Sequence, residues 1–208
     1  MHLASPFPFK VSNNRNSLLA PAVDGTLRVL NAGLNADVEQ FIVTSSIAAM
    51  FRKPIRSNPY SFDENDWTDE NWKEGVGDYF LSKTKAEKAA WELMENKGFK
   101  NKLTAINPGG VFGDALDKKG GTSIEYVRQF MKGKFPAAPK WGILISDVKD
   151  VAKAHVACIG NTKVGGRRLI VGKEVKKLIE LSQIMAEAMP EYAKKLPKKE
   201  LPNFMVKL

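Results

Sequence analysis

The sequence predicts an α/β fold in which crossover helices join the strands of a parallel β-sheet. Short, mostly apolar runs such as Phe41-Ile42-Val43 and Leu103-Thr104-Ala105-Ile106 are typical of strands that are buried on both faces. Longer segments between them repeat an apolar residue every three or four positions, which is the period of an amphipathic helix. Because strands and helices alternate along the chain, the sheet is expected to be parallel.

The first half of the chain is expected to contain three strands and two helices. Residues 1–5 form a short strand that Pro6 stops, and Phe41-Ile42-Val43 and residues 103–106 form the next two. The first helix starts near Leu18, and its apolar residues are Leu19, Val23, Leu27, Leu30 and Leu34. The second helix begins at Tyr79 and ends at Gly98, and a polar segment over residues 52–76 precedes it.

The second half is expected to contain three helices and one strand. Thr122-Ser123-Ile124-Glu125 has the pattern of a capping box and predicts a helix that ends at Gly133. Asp147, best interpreted as an N-cap, begins another helix. Residues 168–171 form a short strand, and residues 175–189 form a last helix before Pro190.

Composition excludes several classes of protein. Cys158 is the only cysteine, which excludes an internal disulfide framework and favours a reducing, cytoplasmic location. No apolar run of about 18 residues occurs, and the first residues lack the basic segment of a signal peptide, so neither a membrane span nor a leader is expected. The net charge is +9, but the lysines are scattered. The charge therefore favours small anionic ligands and not a nucleic acid.

Tyr79 and Lys83 are the first candidate catalytic residues. They are four positions apart in a predicted helix and so lie one turn apart on one face. A tyrosine at its ordinary pKa of about 10 exchanges protons poorly at neutral pH. A neighbouring ammonium favours the phenolate, so Lys83 is expected to lower the pKa of Tyr79. A useful shift of about three units requires about 4 kcal/mol from the surroundings.

Other polar residues follow neighbouring strands of the predicted sheet. Ser45 and Ser46 end one strand, and Asn107-Pro108-Gly109 end the next. Ligands of open α/β sheets bind outside the carboxyl ends of the strands, so these residues are expected to face one crevice with Tyr79. A serine hydroxyl beside an activated tyrosine can polarise a carbonyl group and deliver a proton to it.

These residues resemble motifs of the extended short-chain dehydrogenase/reductase family, the NAD-dependent epimerase/dehydratase superfamily. Within it, the chain is most similar to the dihydroflavonol-4-reductase-like branch of aldehyde and ketone reductases. The similarity covers most of residues 1–160. The matching stretches are His2-Leu3-Ala4-Ser5-Pro6, Thr44-Ser45-Ser46, Tyr79-x-x-Ser82-Lys83-x-x-Ala86-Glu87-x-x-Ala90-Trp91, Asn107-Pro108-Gly109-x-Val111-x-Gly113 and Asp147-Val148-x-Asp150-Val151-Ala152-x-Ala154-His155.

The resemblance implies an enzyme that uses NADP(H) or NAD(H), with NADP(H) favoured, to reduce an aldehyde or ketone without a metal. It implies that Ser46 holds the carbonyl group, that Tyr79 is the general acid in reduction, and that Lys83 binds the nicotinamide ribose. It also implies cofactor contacts from two further places. These are the backbone of Pro108, Gly109 and Val111 at the nicotinamide, and Ala4 and Ser5 along the ribose and phosphates.

The chain departs from the family in one important respect. The family begins with a strand, a glycine-rich turn and a helix that hold the cofactor pyrophosphate, and no G-x-G-x-x-G occurs here. The expectation is a Rossmann-like sheet that lacks its N-terminal βαβαβ half. Residues 1–160 would be the second half of the NAD(P)-binding domain, and residues 161–208 part of a small C-terminal substrate-binding region. Such a chain is expected to aggregate or to bind NADPH poorly.

Two alternative functions remain open: nucleotide-sugar epimerisation within the same superfamily, and non-catalytic cofactor binding. Oligomeric state is also open, with a homodimer as one outcome. Several residues have plainer interpretations than catalysis or metal binding. His155, Cys158 and Trp91 are expected to be packing residues, the acids Asp63, Glu64 and Asp66 are expected to be solvated, and Ser5 is a better ligand candidate than His2.

Overall fold

The computed structural model describes residues 1–5, 16–54, 60–116 and 121–201, and they divide into two compact units. The first comprises Met1–Gly109 and Lys149–Val171, and the second comprises Gly110–Val148 and Gly172–Leu208. Pro6 lies outside the described residues. The predicted division at residue 160 stays a prediction, and the compact units are divided at other positions of the chain.

The first unit is built on a parallel sheet of three strands. They are β1 (Phe41–Thr44), β2 (Leu103–Pro108) and a third strand, Arg167–Val171, in the order β1, β2, Arg167–Val171. Every neighbouring pair is parallel, which confirms the predicted sheet. Residues 1–5 contribute only one parallel bridge, between His2 and Val43, and do not form the full strand that was expected.

Helices cover both faces of this sheet. Since strand side chains alternate, Phe41 and Val43 face one side, where α1 (Asn16–Asn35) and α2 (Asp78–Asn96) pack. Ile42 faces the other side and packs with Cys158 of the helix Val148–Cys158. The sheet therefore has a hydrophobic cluster on each face, which explains why its strands are almost entirely apolar. The buried residues of the two clusters are Leu30, Phe41, Val43, Ala90, Met94 and Leu103 on one face and Ile42, Ile106 and Cys158 on the other.

Close packing at α1 explains one glycine. A Cβ atom at Gly33 would lie 2.5 Å from the Phe41 ring, so a larger residue there would force the helix away from β1.

The second unit holds a mixed three-stranded sheet that the sequence did not predict. Strand β3 (Gly110–Phe112) pairs in parallel with β4 (Gly142–Asp147), and β4 pairs antiparallel with the strand Glu174–Lys177. In chain order the remaining elements are α3 (Thr122–Met131), α4 (Val148–Cys158), β5 (Arg167–Val171), β6 (Glu174–Lys177) and α5 (Leu178–Ala188).

Two predicted helix starts need correction. The N-cap of α3 is Gly121, and Thr122 is already helical, so the expected capping box does not cap this helix. The last helix begins at Leu178, because Val175 belongs to β6. Helix α4 begins directly after Asp147, as predicted.

No helix in the described part of the chain is long and apolar enough to cross a membrane.

Candidate active site

Ser46 lies just beyond the carboxyl end of β1, where the chain turns away from the sheet. Its backbone is extended (φ −165°, ψ 153°), and it caps a single 3-10 turn over Ile47–Ala49. The Ser46 Oγ accepts a hydrogen bond from the Ala48 backbone N–H at 3.1 Å. A second hydrogen bond joins the Ser46 side chain to the phenol of Tyr79. The cap therefore fixes the serine hydroxyl beside the tyrosine.

Tyr79 and Lys83 lie in the first turns of α2, as the sequence predicted. Helix α2 begins at Asp78 after the extended residue Gly77, so Tyr79 sits at the helix start that faces the end of β1. The Lys83 Nζ is 6.0 Å from the centre of the Tyr79 ring, and Lys83 is only 8% exposed. The structure thus brings Ser46, Tyr79 and Lys83 together at one edge of the parallel sheet.

The pKa values of the pair differ from the sequence-based expectation. Burial raises the pKa of Tyr79 to about 12, and the hydrogen bond with Ser46 opposes this rise only in part. The expected lowering of this pKa by Lys83 is therefore wrong for this structure, in which desolvation of the phenol dominates. Burial also lowers the pKa of Lys83 to about 8, and the negative charge of Glu87 opposes that change.

Asn107 connects the end of β2 to the serine. It is fully buried, and its side-chain Nδ2 donates to the Ser46 carbonyl oxygen at 3.1 Å and to the Glu87 Oε2 at 2.8 Å. Its Oδ1 is buried and has no partner among the described residues. Pro108 ends β2, and the Gly109 N–H donates to the Val171 carbonyl oxygen at 3.3 Å.

A buried carboxylate, Glu87, organises the polar residues around the site. Its oxygens accept hydrogen bonds from Ser45 Oγ at 2.5 Å, Trp91 Nε1 at 3.2 Å and Arg168 Nε at 2.6 Å, in addition to Asn107. Glu87 is 2% exposed and Arg168 is 8% exposed, so this ion pair is buried. The two adjacent serines consequently have different partners: Ser45 bonds to Glu87, and Ser46 bonds to Tyr79.

Comparison with known proteins identifies the family. Residues 1–162 match the 3-beta hydroxysteroid dehydrogenase/isomerase family. The chain belongs to this family. This match and the relatives below confirm the resemblance to dihydroflavonol-reductase-like members of the short-chain dehydrogenases/reductases.

Two reductases are among the proteins that this chain resembles in sequence. The NADPH-dependent methylglyoxal reductase of Saccharomyces cerevisiae is 35% identical over 216 residues, which cover 95% of this chain and 62% of that protein. Cinnamoyl-CoA reductase 1 of Arabidopsis thaliana is 32% identical over 192 residues, which cover 92% of this chain and 54% of that protein.

A solved structure agrees with these matches. The crystal structure of yeast methylglyoxal/isovaleraldehyde reductase complexed with NADPH superposes with a TM-score of 0.81 at 32% identity. That match covers 95% of this chain and 62% of the solved chain. This chain therefore spans less than two thirds of the length of these relatives.

Residues 1–5 lie beside the site along β1. The His2 N–H donates to the Ile42 carbonyl oxygen at 2.8 Å, and the Thr44 N–H donates to the His2 carbonyl oxygen at 2.9 Å. The His2 Nε2 is buried without a partner among the described residues. Burial lowers the pKa of His2, and the positive charge of Lys83 adds to this lowering. Ala4 is exposed and Ser5 is partly exposed.

The residues present fit one end of a dinucleotide cofactor. Lys83 and the imidazole Nε2 of His2, which has no partner among the described residues, offer polar groups that a ribose can use. The sequence supplies no G-x-G-x-x-G turn for a pyrophosphate. Val111 lies in β3 of the second unit and is partly buried, so its predicted cofactor contact stays a prediction.

The residues with plainer interpretations behave largely as expected. His155 is buried, and its Nε2 and Nδ1 lie 2.6 Å from Thr44 Oγ1 and 2.7 Å from the Val151 carbonyl oxygen, so it is a satisfied packing histidine. Asp66 is an exception among the acids, because it is buried and pairs with Lys53. No cluster of three or more potential metal ligands occurs in the described ranges.

Proposed function

We propose that this chain carries the catalytic residues of an NADPH-dependent reductase of aldehydes or ketones. One observation carries the proposal: Ser46 and Tyr79 share a hydrogen bond beyond the end of β1, with Lys83 one helical turn away. This arrangement presents two hydroxyl groups to one carbonyl oxygen and a cation to the phenol.

Tyr79 acts as the proton donor in reduction. With its pKa raised to about 12, the side chain is a neutral phenol at physiological pH and holds the proton that the carbonyl oxygen needs. Ser46 Oγ accepts the Ala48 N–H, and its single O–H, which meets Tyr79 in this structure, would turn to the carbonyl oxygen when the substrate binds. In oxidation, the phenolate of Tyr79 takes the proton back.

Lys83 stabilises the charge that proton transfer leaves on Tyr79. Its pKa of about 8 keeps most of the ammonium protonated at pH 7, and the carboxylate of Glu87 supports that charge. The attraction between an ammonium and a buried phenolate is stronger than the same attraction in water, because the protein interior screens the two charges less.

NADPH supplies the hydride when it is bound. We propose that Lys83 and Tyr79 contact the nicotinamide ribose, and that the backbone of Pro108, Gly109 and Val111 faces the nicotinamide. Ala4 and Ser5 would lie along the ribose and phosphates. The preference for NADPH over NADH is supported by the similar methylglyoxal reductase of yeast, which is NADPH-dependent.

We also propose a cytoplasmic location, a small carbonyl compound as substrate, and neither nucleic acid nor membrane as a partner. The single, buried Cys158 suits a reducing compartment. A homodimer is proposed as the assembly to be tested first. Residues 1–160 and 161–208 remain the proposed cofactor-binding and substrate-binding regions.

Transfer of deuterium tests the proposed activity with high sensitivity. The chain is incubated with excess aldehyde and saturating NADPH deuterated at the transferable position, and the alcohol product is analysed by mass spectrometry. We expect labelled alcohol from the wild type, and at least about 100-fold less from Tyr79→Phe, which is the usual scale of general acid–base catalysis.

Tyr126→Phe is the matched control, because Tyr126 is 45% exposed and belongs to α3 of the other unit. Its product yield should equal that of the wild type. Absence of labelled alcohol from wild type to which calorimetry shows NADPH bound, or equal yields from Tyr79→Phe and wild type, would contradict the reductase. Binding of NADPH without transfer of deuterium would favour a non-catalytic binding module. Inversion at C4 of a nucleotide sugar, supplied in place of the aldehyde, would favour an epimerase.

A further inference from the structure

Arg52 carries a buried polar atom with no partner in the part of the chain that the structure describes. Its Nε is shielded from solvent and makes no hydrogen bond there. Its guanidinium forms no ion pair with a described carboxylate. A buried donor without an acceptor costs free energy, so the position of this guanidinium calls for an explanation.

The neighbouring cations differ from Arg52 in this respect. Lys53 pairs with Asp66 and donates to Tyr60 Oη at 2.5 Å. Lys85 and Lys88 both pair with Glu70. Acids of the loop before α2 thus pair with Lys53 and with two lysines of α2, and no described carboxylate pairs with the adjacent guanidinium.

The guanidinium of Arg52 is held in place by two aromatic rings. Its Cζ lies 4.7 Å from the centre of the Phe80 ring and 5.7 Å from that of Phe51, and the two rings meet edge-to-face at 5.5 Å. The main chain of Arg52 is fixed as well. Its N–H donates to Thr68 Oγ1 at 3.1 Å, and its carbonyl oxygen accepts from the Asp69 N–H at 2.7 Å.

This held guanidinium flanks the candidate catalytic residues. Arg52 follows closely after the 3-10 turn that Ser46 caps. Phe80 follows Tyr79 in α2, and their rings lie 6.0 Å apart. Phe80 therefore contacts the tyrosine on one side and the guanidinium on another, which places a fixed positive group at the border of the Ser46–Tyr79 site.

We infer that Arg52 binds a carboxylate group carried by the carbonyl substrate. The inference rests on the proposed reductase function and adds a substrate class to it: ketones or aldehydes that carry a carboxylate elsewhere in the molecule. The planar fork of a guanidinium matches the two oxygens of a carboxylate, and because Nε is shielded, the two terminal nitrogens of Arg52 supply the parallel donors. Because the guanidinium is already oriented, little freedom is lost when the carboxylate binds.

A pair of ligands that differ only in charge tests this inference without turnover. The 208-residue chain, labelled with ¹⁵N-arginine, is titrated with 4-acetylbenzoate and with its methyl ester, and the side-chain Nε–H resonance of Arg52 is followed by NMR. We expect 4-acetylbenzoate to shift this resonance and to bind about tenfold tighter than the ester, the scale of one charge-assisted hydrogen bond.

Two variants and one control sharpen the comparison. Arg52→Gln should bind the acid and the ester equally, while Arg52→Lys should keep part of the preference because it keeps the charge. Arg28→Gln removes an exposed arginine of α1 and should keep the whole preference.

Equal affinities in the wild type, no binding of the acid, or a preference that survives in Arg52→Gln would overturn the inference. So would a shift of the Arg52 resonance by inorganic phosphate alone, since that would assign a phosphate-bearing ligand. The two proposals fail separately. Reduction of neutral ketones without an acid preference overturns only the carboxylate site, whereas acid binding at Arg52 without any deuterium transfer overturns only the reductase.

Discussion

At the scale of single residues, the sequence identified the catalytic candidates but not their environment. Spacing places Tyr79 and Lys83 on one helix face, and Ser46 follows a strand, so their proximity could be anticipated. The spacing of residues along the chain does not predict how far their side chains are buried. In the structure, burial decides the protonation of both groups, and the pKa of Tyr79 rises to about 12 where the ammonium alone would have lowered it.

Other residues of the candidate site were not predicted from the sequence, because the residues that they contact are distant in sequence. Glu87 and Arg168 are 81 positions apart, so no local pattern reveals their ion pair. Two features of the sequence could have indicated these residues: Glu87 is an acid one helical turn after Lys83, and Arg168 is an arginine at the start of an apolar strand. His2 was set aside for Ser5, yet burial and the charge of Lys83 lower the pKa of His2 in the structure.

The lowered pKa of Lys83 predicts a dependence of stability on pH. The unfolded lysine keeps its proton up to about pH 10.5, whereas the folded one loses it near pH 8. Between these values the unfolded state binds more protons, so this residue makes the protein more stable as pH rises. Lys83→Met removes the buried charge and should add about 2 kcal/mol to the free energy of unfolding at pH 7.

Urea denaturation at a series of pH values between 7 and 9.5 measures this gain, which should shrink steadily above pH 8. Lys97→Met at the exposed C-cap of α2 is the control, and its effect should not vary with pH. A gain for Lys83→Met that is absent, or that grows with pH, would show that the lysine is not desolvated in solution.

At the scale of elements, the accuracy of prediction followed burial. Strands β1 and β2 and the strand β5 lie in the buried sheet, and their apolar runs were recognised. Strands β3 and β6 are three and four residues long, and most of β6 is exposed. Strand β6 contains a single apolar residue, Val175, and β3 contains only Val111 and Phe112, so neither has an apolar run as long as those of the buried strands. Strand β4 was missed although it contains Ile143-Leu144-Ile145. Strands β3 and β6 form only when a partner strand is present, and the pairing partner cannot be read from sequence.

Glu87 joins four elements of the first unit through side chains. It extends from α2 to Ser45 after β1, to Asn107 in β2 and to Arg168 in β5. Arg168 continues the network to the loop before α2, where it donates to the carbonyl oxygens of Glu64 at 3.1 Å and Asp66 at 2.5 Å. The segment that presents Ser46 is thus tied to the sheet.

Removal of one partner should therefore be costly. Arg168→Met leaves the Glu87 carboxylate buried without its cation, and this should lower the free energy of unfolding by about 3–5 kcal/mol. Arg167→Met changes the exposed neighbour on the same strand and should cost at most about 0.5 kcal/mol. Chemical denaturation of both variants gives the comparison, and similar stabilities for the two would mean that the ion pair contributes little.

At the scale of the whole molecule, the first unit has an open sheet edge. Its strand order ends at β1, beyond which only the His2 bridge is formed, and no other described strand pairs with residues 1–5. Met1 and Leu3 beside this edge are 66% and 59% exposed. An edge with unpaired backbone groups and exposed apolar side chains is a template for pairing with another chain.

The chain should consequently self-associate through this edge. Leu3→Lys places a charge beside the unpaired backbone, which should shift the protein towards the monomer, because a second copy would have to bury that charge or bring two lysines together. Sedimentation velocity across a concentration series measures the effect. Val29→Lys is the control, since Val29 is 44% exposed on α1, which packs on a face of the sheet, and it should leave association unchanged. A wild type that stays monomeric throughout, or an equal effect of both lysines, would show that the edge is already protected and that association, where it occurs, uses another surface.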